Sequence, residues 1–259
     1  MTKILAITNQ KGGVGKTTTT VNLAASLADA KQRVLLIDLD PQGNATMGSG
    51  IEKRDLQASV YDVLLGGRTI VESRKPAGVG GYDVLPSNRE LAGAEVELVD
   101  ASRREMRLKE SLQHVVGEYD YVLIDCPPAL NLLTLNGLCA AKTVMIPMQC
   151  EYYALEGLSD LVNTIRKVRA NLNPVLEIEG LLRTMFDPRN ALAQQVSAQL
   201  EAHFGDKVYR TVIPRNIRLA EAPSYGVPAL YHDKTSKGTQ AYIALAVEML
   251  NLSPNIEVV

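Results

Sequence analysis

The feature that most constrains this fold is a glycine-rich turn between an apolar run and a helical run near the start of the chain. The turn reads QKGGVGKTT at residues 10–18, between KILAIT (residues 3–8) and TTTTVNLAASLADA (residues 17–30). A short run that is apolar almost throughout favours a strand covered on both faces, whereas the second run has the spacing of an amphipathic helix. Strand, tight turn and helix in this order predict the first half of a βαβ unit.

The same alternation continues along the chain. Runs of strand composition lie at residues 33–38, 119–125, 143–148, 177–185 and 207–214, and runs of helical spacing lie at residues 101–117, 130–141, 155–172 and 191–205. Alternating strands and helices favour parallel strands joined by right-handed crossovers. The predicted fold class is α/β: a three-layer, doubly wound, mostly parallel sheet flanked by helices.

Length and composition favour one domain with a sizeable core. The chain has 259 residues, of which 46% are hydrophobic, and a formal net charge of −2. We predict a single domain over residues 1–259, with the glycine-rich stretch at residues 66–81 as a loop inside it. The cysteines at positions 126, 139 and 150 lack C-x-x-C spacing and indicate buried free thiols in a reducing cytosol. No run approaches the length that a membrane span needs, so a cytoplasmic location is expected.

The glycine-rich turn has the context of a phosphate-binding loop. Its glycines let backbone N–H groups approach phosphate oxygens, and the helix that follows adds its positive N-terminal end. Lys16 is expected to bridge the β- and γ-phosphates, the Thr17 hydroxyl to ligate Mg²⁺, and Thr18 to donate to the α-phosphate. The predicted cofactors are ATP and Mg²⁺, and the predicted nucleotide-binding residues of the loop are Lys11, Gly12, Gly13, Val14, Gly15, Lys16, Thr17 and Thr18.

The loop departs from the common pattern G-x-x-x-x-G-K-S/T at one end. Gln10 stands where the first glycine is expected, and Lys11 follows it, which gives the deviant Walker A form K-G-G-x-G-K-T-T. The common pattern has no role for Lys11. The loop alone leaves two interpretations open: a solvated loop lysine, or a second cation for phosphate.

Acidic residues close two of the predicted strands. VLLIDLDPQGN (residues 34–44) supplies Asp38 and Asp40, and YVLIDCPP (residues 121–128) supplies Asp125 in a Walker B pattern. The carboxyl ends of parallel strands face ligand at one edge of a sheet, where a carboxylate can orient an attacking water or hold Mg²⁺ through its waters. An Asp that closes an apolar strand is also typical of a helix cap or a turn, so these segments become specific only together with the loop.

Together, these segments resemble the ParA/Soj family of chromosome- and plasmid-partition ATPases, which are deviant-Walker P-loop NTPases. The resemblance covers nearly the whole chain and extends to LAGAEVELV (residues 91–99), CEYYALEGLSDL (residues 150–161) and VIPRNIRLAEAPSYGVPAL (residues 212–230). It implies a molecular switch for chromosome or plasmid partitioning, which dimerises when it binds ATP.

The resemblance also implies roles for individual residues. Lys11 would reach across a sandwich dimer to the phosphates of the ATP that the other subunit holds, and Gly12 would lie at the seam of that dimer. Asp40 would position the hydrolytic water, so the implied catalytic set is Lys11, Lys16 and Asp40. The implied metal set is Thr17, Asp40 and Asp125. Glu151 matches an interface position, although it could equally cap the helix that follows it.

The same resemblance implies the base pocket and the partners. Met185, Pro214 and Asn216 would line the adenine. The ATP-bound dimer would bind double-stranded DNA without sequence preference, and a ParB-like centromere-binding protein would release it by stimulating hydrolysis. The implied location is cytoplasmic and nucleoid-associated. The implied DNA-binding residues are Arg189, Arg218 and Arg215, with Lys207 as a neighbour.

Two other functions stay open. A MinD-like regulator of cell division would need a basic amphipathic helix at the C-terminus, but no Lys or Arg follows Lys237, so no membrane attachment is expected. A metabolic P-loop ligase or amidase would need a second polar pocket for its acceptor at the carboxyl edge of the sheet. The sequence contains no residue set that demands such a pocket.

Overall fold

A seven-stranded sheet with helices on both faces organises residues 2–251, the part of the chain that the computed structural model describes. The strands are β1 (Lys3–Ile7), β2 (Val34–Asp38), β3 (Lys75–Pro76), β4 (Asp83–Leu85), β5 (Tyr121–Asp125), β6 (Thr143–Met148) and β7 (Glu177–Arg183). Their order across the sheet is β3-β4-β2-β5-β1-β6-β7, and every neighbouring pair is parallel except β3 with β4. This confirms the predicted α/β class with a doubly wound, mostly parallel sheet.

Twelve α-helices connect and cover the strands within this part of the chain. They are α1 (Lys16–Asp29), α2 (Asn44–Gly48), α3 (Val60–Leu65), α4 (Ile70–Ser73), α5 (Leu91–Glu97), α6 (Arg107–Leu112), α7 (Leu132–Ala140), α8 (Ala154–Asn171), α9 (Ala191–Phe204), α10 (Ile217–Glu221), α11 (Ala229–His232) and α12 (Lys237–Met249). Short 3₁₀ turns lie at Lys53–Asp55, Arg104–Met106, Val116–Glu118, Gly205–Lys207 and Ala222–Tyr225. None of the helices within residues 2–251 is long and apolar enough to span a membrane.

The central strand β1 explains why the strand sequences are apolar on both faces. Ile4 and Ala6 belong to the core on one side of the sheet, and Leu5 and Ile7 belong to the core on the other side. Successive side chains of a strand point to opposite faces, so a strand covered on both faces must be apolar throughout. Because β1 lies between β5 and β6, the loop that follows it opens in the middle of the carboxyl edge of the sheet.

Most of the predicted elements are confirmed, but residues 207–214 do not form the predicted strand. Only isolated bridges, at Val208 and at Pro214, join this stretch to the β7 side of the sheet. The backbone N–H groups of Arg210 and Thr211 donate instead to the carboxylate of Glu248, at 2.7 and 2.9 Å. A side chain of α12 therefore takes donors that a β-ladder would need, and proline has none to offer at 214.

Two other predictions on the β2 side of the sheet need correction. The predicted helix at residues 101–117 is broken, since only Arg107–Leu112 is α-helical and a 3₁₀ turn lies on either side. The predicted loop at residues 66–81 contains α4, which begins with a capping box of Thr69 and Glu72, and the edge strand β3. Both elements are too short to produce a recognisable period in the sequence.

Gly137 in α7 provides a test of how tightly the helices pack on the sheet. A Cβ at this position would lie 2.9 Å from Cys126 Sγ and 3.2 Å from Leu39 Cδ1. We expect Gly137→Ala to lower the free energy of unfolding by about 1–3 kcal/mol, because neither neighbour can move without disturbing a strand end. Urea denaturation followed by circular dichroism measures the change.

Gly157 in α8 is the matched control, because no atom lies within 4 Å of a Cβ added there. Gly157→Ala should stabilise the protein by about 0.5–1 kcal/mol, since alanine favours the helix. A Gly137→Ala variant that is as stable as the wild type would contradict the close contact between α7 and the end of β5.

Candidate functional site

A cavity of about 460 Å³ opens at the carboxyl edge of the sheet, beside the loop that joins β1 to α1. One wall is this loop together with Asp40, and the facing wall consists of residues 184–185, after β7, and residues 213–220. The cavity thus brings the glycine-rich loop to residues that lie about two hundred positions further along the chain. Its size suits a small ligand.

The loop conformation depends on glycine at two positions. Gly13 has φ 75° and Gly15 has φ 87°, in the left-handed region that residues with a Cβ rarely adopt. Gly15 directly precedes Lys16, the first residue of α1, so the open N-terminal end of that helix faces the cavity. Val14 is buried, and its carbonyl accepts a hydrogen bond from Thr184 Oγ1 at 2.8 Å, which fixes the loop to the end of β7.

Lys16 is a buried cation. Its side chain is only 8% exposed, and its ammonium donates to the backbone carbonyl of Lys11 at 3.0 Å. Burial lowers the pKa of Lys16, although Asp125, Cys126 and Asp40 oppose the shift. An anion in the cavity would therefore stabilise the charged form of this side chain.

The first turn of α1 is tied to the end of β5 by a buried carboxylate. Asp125 accepts hydrogen bonds from Thr17 Oγ1 at 2.8 Å and from Thr20 Oγ1 at 3.1 Å. Burial and the neighbouring carboxylate of Asp38 both raise the pKa of Asp125. Because its carboxylate accepts a hydrogen bond from the Thr17 hydroxyl, Asp125 orients that side chain. Asp125 does not line the cavity itself.

Thr17 and Asp40 fit a magnesium ion that takes most of its ligands from water and from the phosphates of a bound nucleotide. Within residues 2–251, no group of three or more His, Cys, Asp or Glu side chains could hold a metal ion unaided. Among the residues that line the cavity, Asp40 supplies a carboxylate and Thr17 supplies the hydroxyl at the start of α1. Mg²⁺ is commonly bound by one or two such groups, while water and ligand phosphates complete its octahedral shell.

The family resemblance gave a role to Asp40 and none to Asp38, and the structure places the two side chains differently. Asp38 is fully buried, and its carboxylate accepts from the N–H of Asp40 at 3.1 Å and from both the N–H and the hydroxyl of Thr46 at 2.8 Å. Asp40 lines the cavity, and its backbone carbonyl accepts from Ser87 Oγ at 2.8 Å. Asp38 therefore holds the turn after β2 in shape, and Asp40 lies at the cavity.

Lys11 does not line the cavity. Its ammonium lies 2.5 Å from Glu151 Oε2, and both side chains are about half exposed, at 48% and 51%. Glu151 was predicted to be either an interface residue or a helix cap. Its side chain does not cap α8, whose N-cap residue is Tyr153. Its described partner is Lys11, which the sequence did not reveal because 140 positions separate the two residues.

The wall opposite the loop contains the residues predicted to contact the base. Met185, Pro214 and Asn216 all line the cavity. Asn216 caps α10 with its side-chain oxygen, which accepts from the N–H of Arg218 at 2.9 Å, so its NH₂ group remains to donate. Sequence reasoning missed Thr184 as a cavity residue, although its position directly after a parallel strand is a signal of such a role.

The predicted DNA-binding arginines stand in different environments. Arg189 is exposed and pairs with Asp187 at 2.9 Å. Arg218 pairs with Glu221 at 2.9 Å and with Asp233 at 3.4 Å. Arg215 is exposed and lines the rim of the cavity itself. The structure thus places Arg215 beside the predicted nucleotide site.

Comparisons with known proteins find relatives that match this chain along nearly its whole length. A family model described as an AAA domain matches residues 2–178. The sporulation initiation inhibitor protein Soj of Bacillus subtilis (strain 168) is 56% identical over 249 residues, which cover 96% of this chain and 98% of that protein. The chromosome partitioning protein ParA of Caulobacter vibrioides (strain NA1000 / CB15N) is 51% identical over 251 residues, which cover 96% and 94%.

A solved structure also matches along most of the chain. It is cobyrinic acid a,c-diamide synthase from Mycobacterium smegmatis with bound ADP and magnesium. The TM-score is 0.85 at 39% sequence identity, and the match covers 97% of this chain and 95% of that one.

The division of labour between Asp38 and Asp40 predicts different effects on stability. Asp38→Ala should lower the free energy of unfolding by about 1–3 kcal/mol, because the buried donors of Thr46 lose their acceptor. Asp40→Ala removes one hydrogen bond, from the exposed N–H of Gln42, and should change stability by less than about 1 kcal/mol. Urea denaturation of both variants checks the prediction, which fails if the two lose equal stability.

Proposed function

The chain belongs to the ParA/Soj family of chromosome-partitioning ATPases, and from this premise we propose how its residues bind ATP, hydrolyse it and respond to it. The protein is a partitioning ATPase whose cofactors are ATP and Mg²⁺. The observation that best supports the assignment of residues is the cavity, which joins the glycine-rich loop, Asp40 and the wall at residues 213–220 in one site.

ATP binding uses the loop, the start of α1 and the opposite wall. The phosphates lie against the loop backbone and the N-terminal end of α1, and the ammonium of Lys16 exchanges the Lys11 carbonyl for phosphate oxygens. Thr17 supplies a ligand to Mg²⁺, and Asp125 keeps its hydroxyl in place. When bound, the metal ion neutralises negative charge on the phosphates. Met185 and Pro214 contact the adenine.

Hydrolysis depends on Asp40. Its carboxylate lies at the cavity and orients the attacking water, while its backbone is fixed on both sides by neighbours. The N–H of Asp40 donates to Asp38, and its carbonyl accepts from Ser87. A carboxylate on a rigid turn can hold water in line with the γ-phosphate without paying for reorganisation in the transition state.

Dimerisation is the proposed role of Lys11. Two subunits face each other through their loops, and each Lys11 leaves Glu151 to contact the phosphates that its partner holds. Gly12 supports this arrangement, because nothing within its own subunit lies within 4 Å of an added Cβ. The need for glycine at this position then comes from a partner subunit. Tyr152 and Tyr153, beside Glu151, are 74% and 72% exposed and offer further surface to bury.

DNA and a partner protein complete the switch. We propose that the ATP-bound dimer binds double-stranded DNA without sequence preference through Arg189, Arg218 and Arg215, and that a ParB-like protein stimulates hydrolysis and releases it. The expected location is the nucleoid, within the cytoplasm. Arg189 and Arg218 must each exchange a carboxylate partner for phosphate, so each should contribute only modestly to the affinity for DNA.

The two alternative functions are less well supported. The name of the matched M. smegmatis structure fits a metabolic P-loop amidase, but that protein is 39% identical, whereas Soj of B. subtilis is 56% identical. The MinD-like alternative needs an amphipathic helix with a basic face, and within α12 the only Lys or Arg is its first residue, Lys237.

The switch predicts how ATP turnover responds to its partners. Turnover by the wild-type protein should be slow alone and faster with DNA and a ParB-like partner present together. Asp40→Ala should abolish turnover but retain ATP binding, since its carboxylate acts on water and not on the nucleotide. Phosphate release and binding of a fluorescent ATP analogue are the measurements. Turnover that ignores DNA and partner would instead favour a metabolic enzyme.

The Lys11–Glu151 ion pair predicts a dimerisation phenotype. Glu151→Gln should strengthen the ATP-dependent dimer, because Lys11 no longer has to leave a carboxylate. An exposed ion pair contributes about 0.2–1 kcal/mol, and a dimer breaks two of them, so its Kd should fall about two- to thirtyfold. Analytical ultracentrifugation in an Asp40→Ala background measures this. The control is Glu110→Gln, which breaks the exposed ion pair with Arg103 and should leave the dimer unchanged.

The proposed DNA contacts predict that variants lacking them bind DNA with a weaker dependence on salt concentration. Arg189→Ala and Arg218→Ala should each weaken DNA binding and reduce the slope of log K against log salt by about one per subunit, since each removes one phosphate contact from each subunit. Fluorescence anisotropy with a nonhydrolysable ATP analogue provides the measurement, and ultracentrifugation verifies that the dimer is intact. Unchanged binding by both variants would reject this patch.

A further inference from the structure

Three cations converge on a surface hollow beside the turn that carries Asp40. The hollow has a volume of about 460 Å³ and is lined by Lys53, Arg54, Asn88, Arg89 and Glu90. We call this set the basic hollow. Lys53 and Arg54 lie in the 3₁₀ turn after α2, and the other residues lie in the loop between β4 and α5. Neither segment carries a role in the proposed function so far.

The cations of the basic hollow are available to an external anion. Within residues 2–251, no carboxylate forms an ion pair with Lys53, Arg54 or Arg89. Glu90, the carboxylate of the hollow, accepts from the side-chain NH₂ of Asn88 at 3.2 Å. This arrangement differs from that of Arg189 and Arg218, which both pair with neighbouring carboxylates.

The lining chemistry favours a phosphate backbone over a protein. All five residues of the basic hollow are charged or polar, so the apolar surface in its lining belongs to the carbon atoms of these residues themselves. A peptide usually requires apolar or aromatic anchors for affinity, whereas DNA backbone is held by Arg, Lys and Asn donors alone. Two guanidinium groups and an ammonium complement the phosphate charge, and arginine can bind phosphate with two parallel hydrogen bonds.

The basic hollow also contacts the turn that carries Asp40. Lys53 Nζ donates to the carbonyl of Gln42 at 2.5 Å. Its Cδ lies close to Gly43, 3.0 Å from the position of an added Cβ. On the other side, Ser87, which directly precedes Asn88, donates to the Asp40 carbonyl at 2.8 Å. A phosphate that draws Lys53 away from Gln42 would remove one of the bonds that hold this turn.

We propose that the basic hollow binds backbone phosphates of double-stranded DNA, and that Lys53 links its occupancy to the turn carrying Asp40. The inference rests on the proposed function, because it assumes the same polyanion as partner. It adds a second contact region to the one assigned to Arg189 and Arg218, and it gives DNA a physical route to the hydrolytic residue.

The binding part is tested with a double variant, Arg54→Ala with Arg89→Ala. Both side chains are exposed, and neither belongs to the nucleotide site. With a nonhydrolysable ATP analogue, the affinity for a short random-sequence duplex should fall at least about tenfold near physiological salt, and the salt slope should fall by about two per subunit. The control is Arg103→Ala with Arg166→Ala, which removes the same charge elsewhere and should stay within about twofold of wild type.

Each outcome has one meaning. If the wild-type protein fails to bind DNA with the ATP analogue, the proposed function itself is wrong. If the wild type binds and the Arg54/Arg89 variant equals the control, only the basic hollow is wrong. A variant that keeps DNA binding but loses binding of polyglutamate, or loses thermal stabilisation by inorganic phosphate, would assign the hollow to an acidic protein or to free phosphate and overturn the DNA inference.

The link to Asp40 is tested at saturating DNA. Lys53→Met cannot donate to Gln42 or to phosphate, so its ATP turnover should no longer change when DNA is added. Lys167→Met, on the exposed face of α8, is the control and should respond to DNA as the wild type does. A Lys53→Met variant with the full wild-type response to saturating DNA would overturn the link.

Discussion

The hydrogen bonds from Thr17 and Thr20 to the buried carboxylate of Asp125 hold the first turn of α1 against the central strands, and the site is built around them. A second bond, from Thr184 to the carbonyl of Val14, fixes the other side of the glycine-rich loop. With the loop fixed on both sides, Lys16 faces the cavity, whereas Lys11 lies outside it against Glu151. This position of Lys11 supports the proposal that its ammonium contacts a nucleotide held by another subunit.

In the proposed switch, this geometry makes the state of the protein depend on a single phosphoryl group. The Lys11–Glu151 pair is half exposed, so water and salt weaken it, and little free energy is lost when Lys11 exchanges one anion for another. Two ATP molecules buried between subunits concentrate negative charge, and the γ-phosphate supplies a large part of it. In the proposed cycle, hydrolysis removes that charge and Lys11 pairs again with Glu151. In this proposal, the turn that holds Asp40 sets how long the dimer lasts, and the basic hollow is where DNA acts on that turn.

The sequence predicted the features that depend on local pattern, and it missed those that depend on distant residues. The strand, loop and helix at the start of the chain follow from apolar runs and glycines, and the family resemblance located Met185, Pro214 and Asn216. The resemblance assigned the hydrolytic water to Asp40, but it gave no role to Asp38, whose contacts with Thr46 only the structure shows. The strand predicted at residues 207–214 does not form, because Glu248 of α12 accepts hydrogen bonds from the N–H groups of Arg210 and Thr211. The ion pair between Lys11 and Glu151 could not be predicted either, because no local sequence pattern relates residues that are 140 positions apart.

The central claim is that Lys11 acts on the nucleotide of a partner subunit, and light scattering tests it most directly. Asp40→Ala, which should retain ATP, is compared with the same variant carrying Lys11→Ala, at equal protein and ATP concentrations and with ATP binding verified for both. The account predicts a dimer for Asp40→Ala and a monomer when Lys11 is also removed. A full dimer without Lys11 would contradict it.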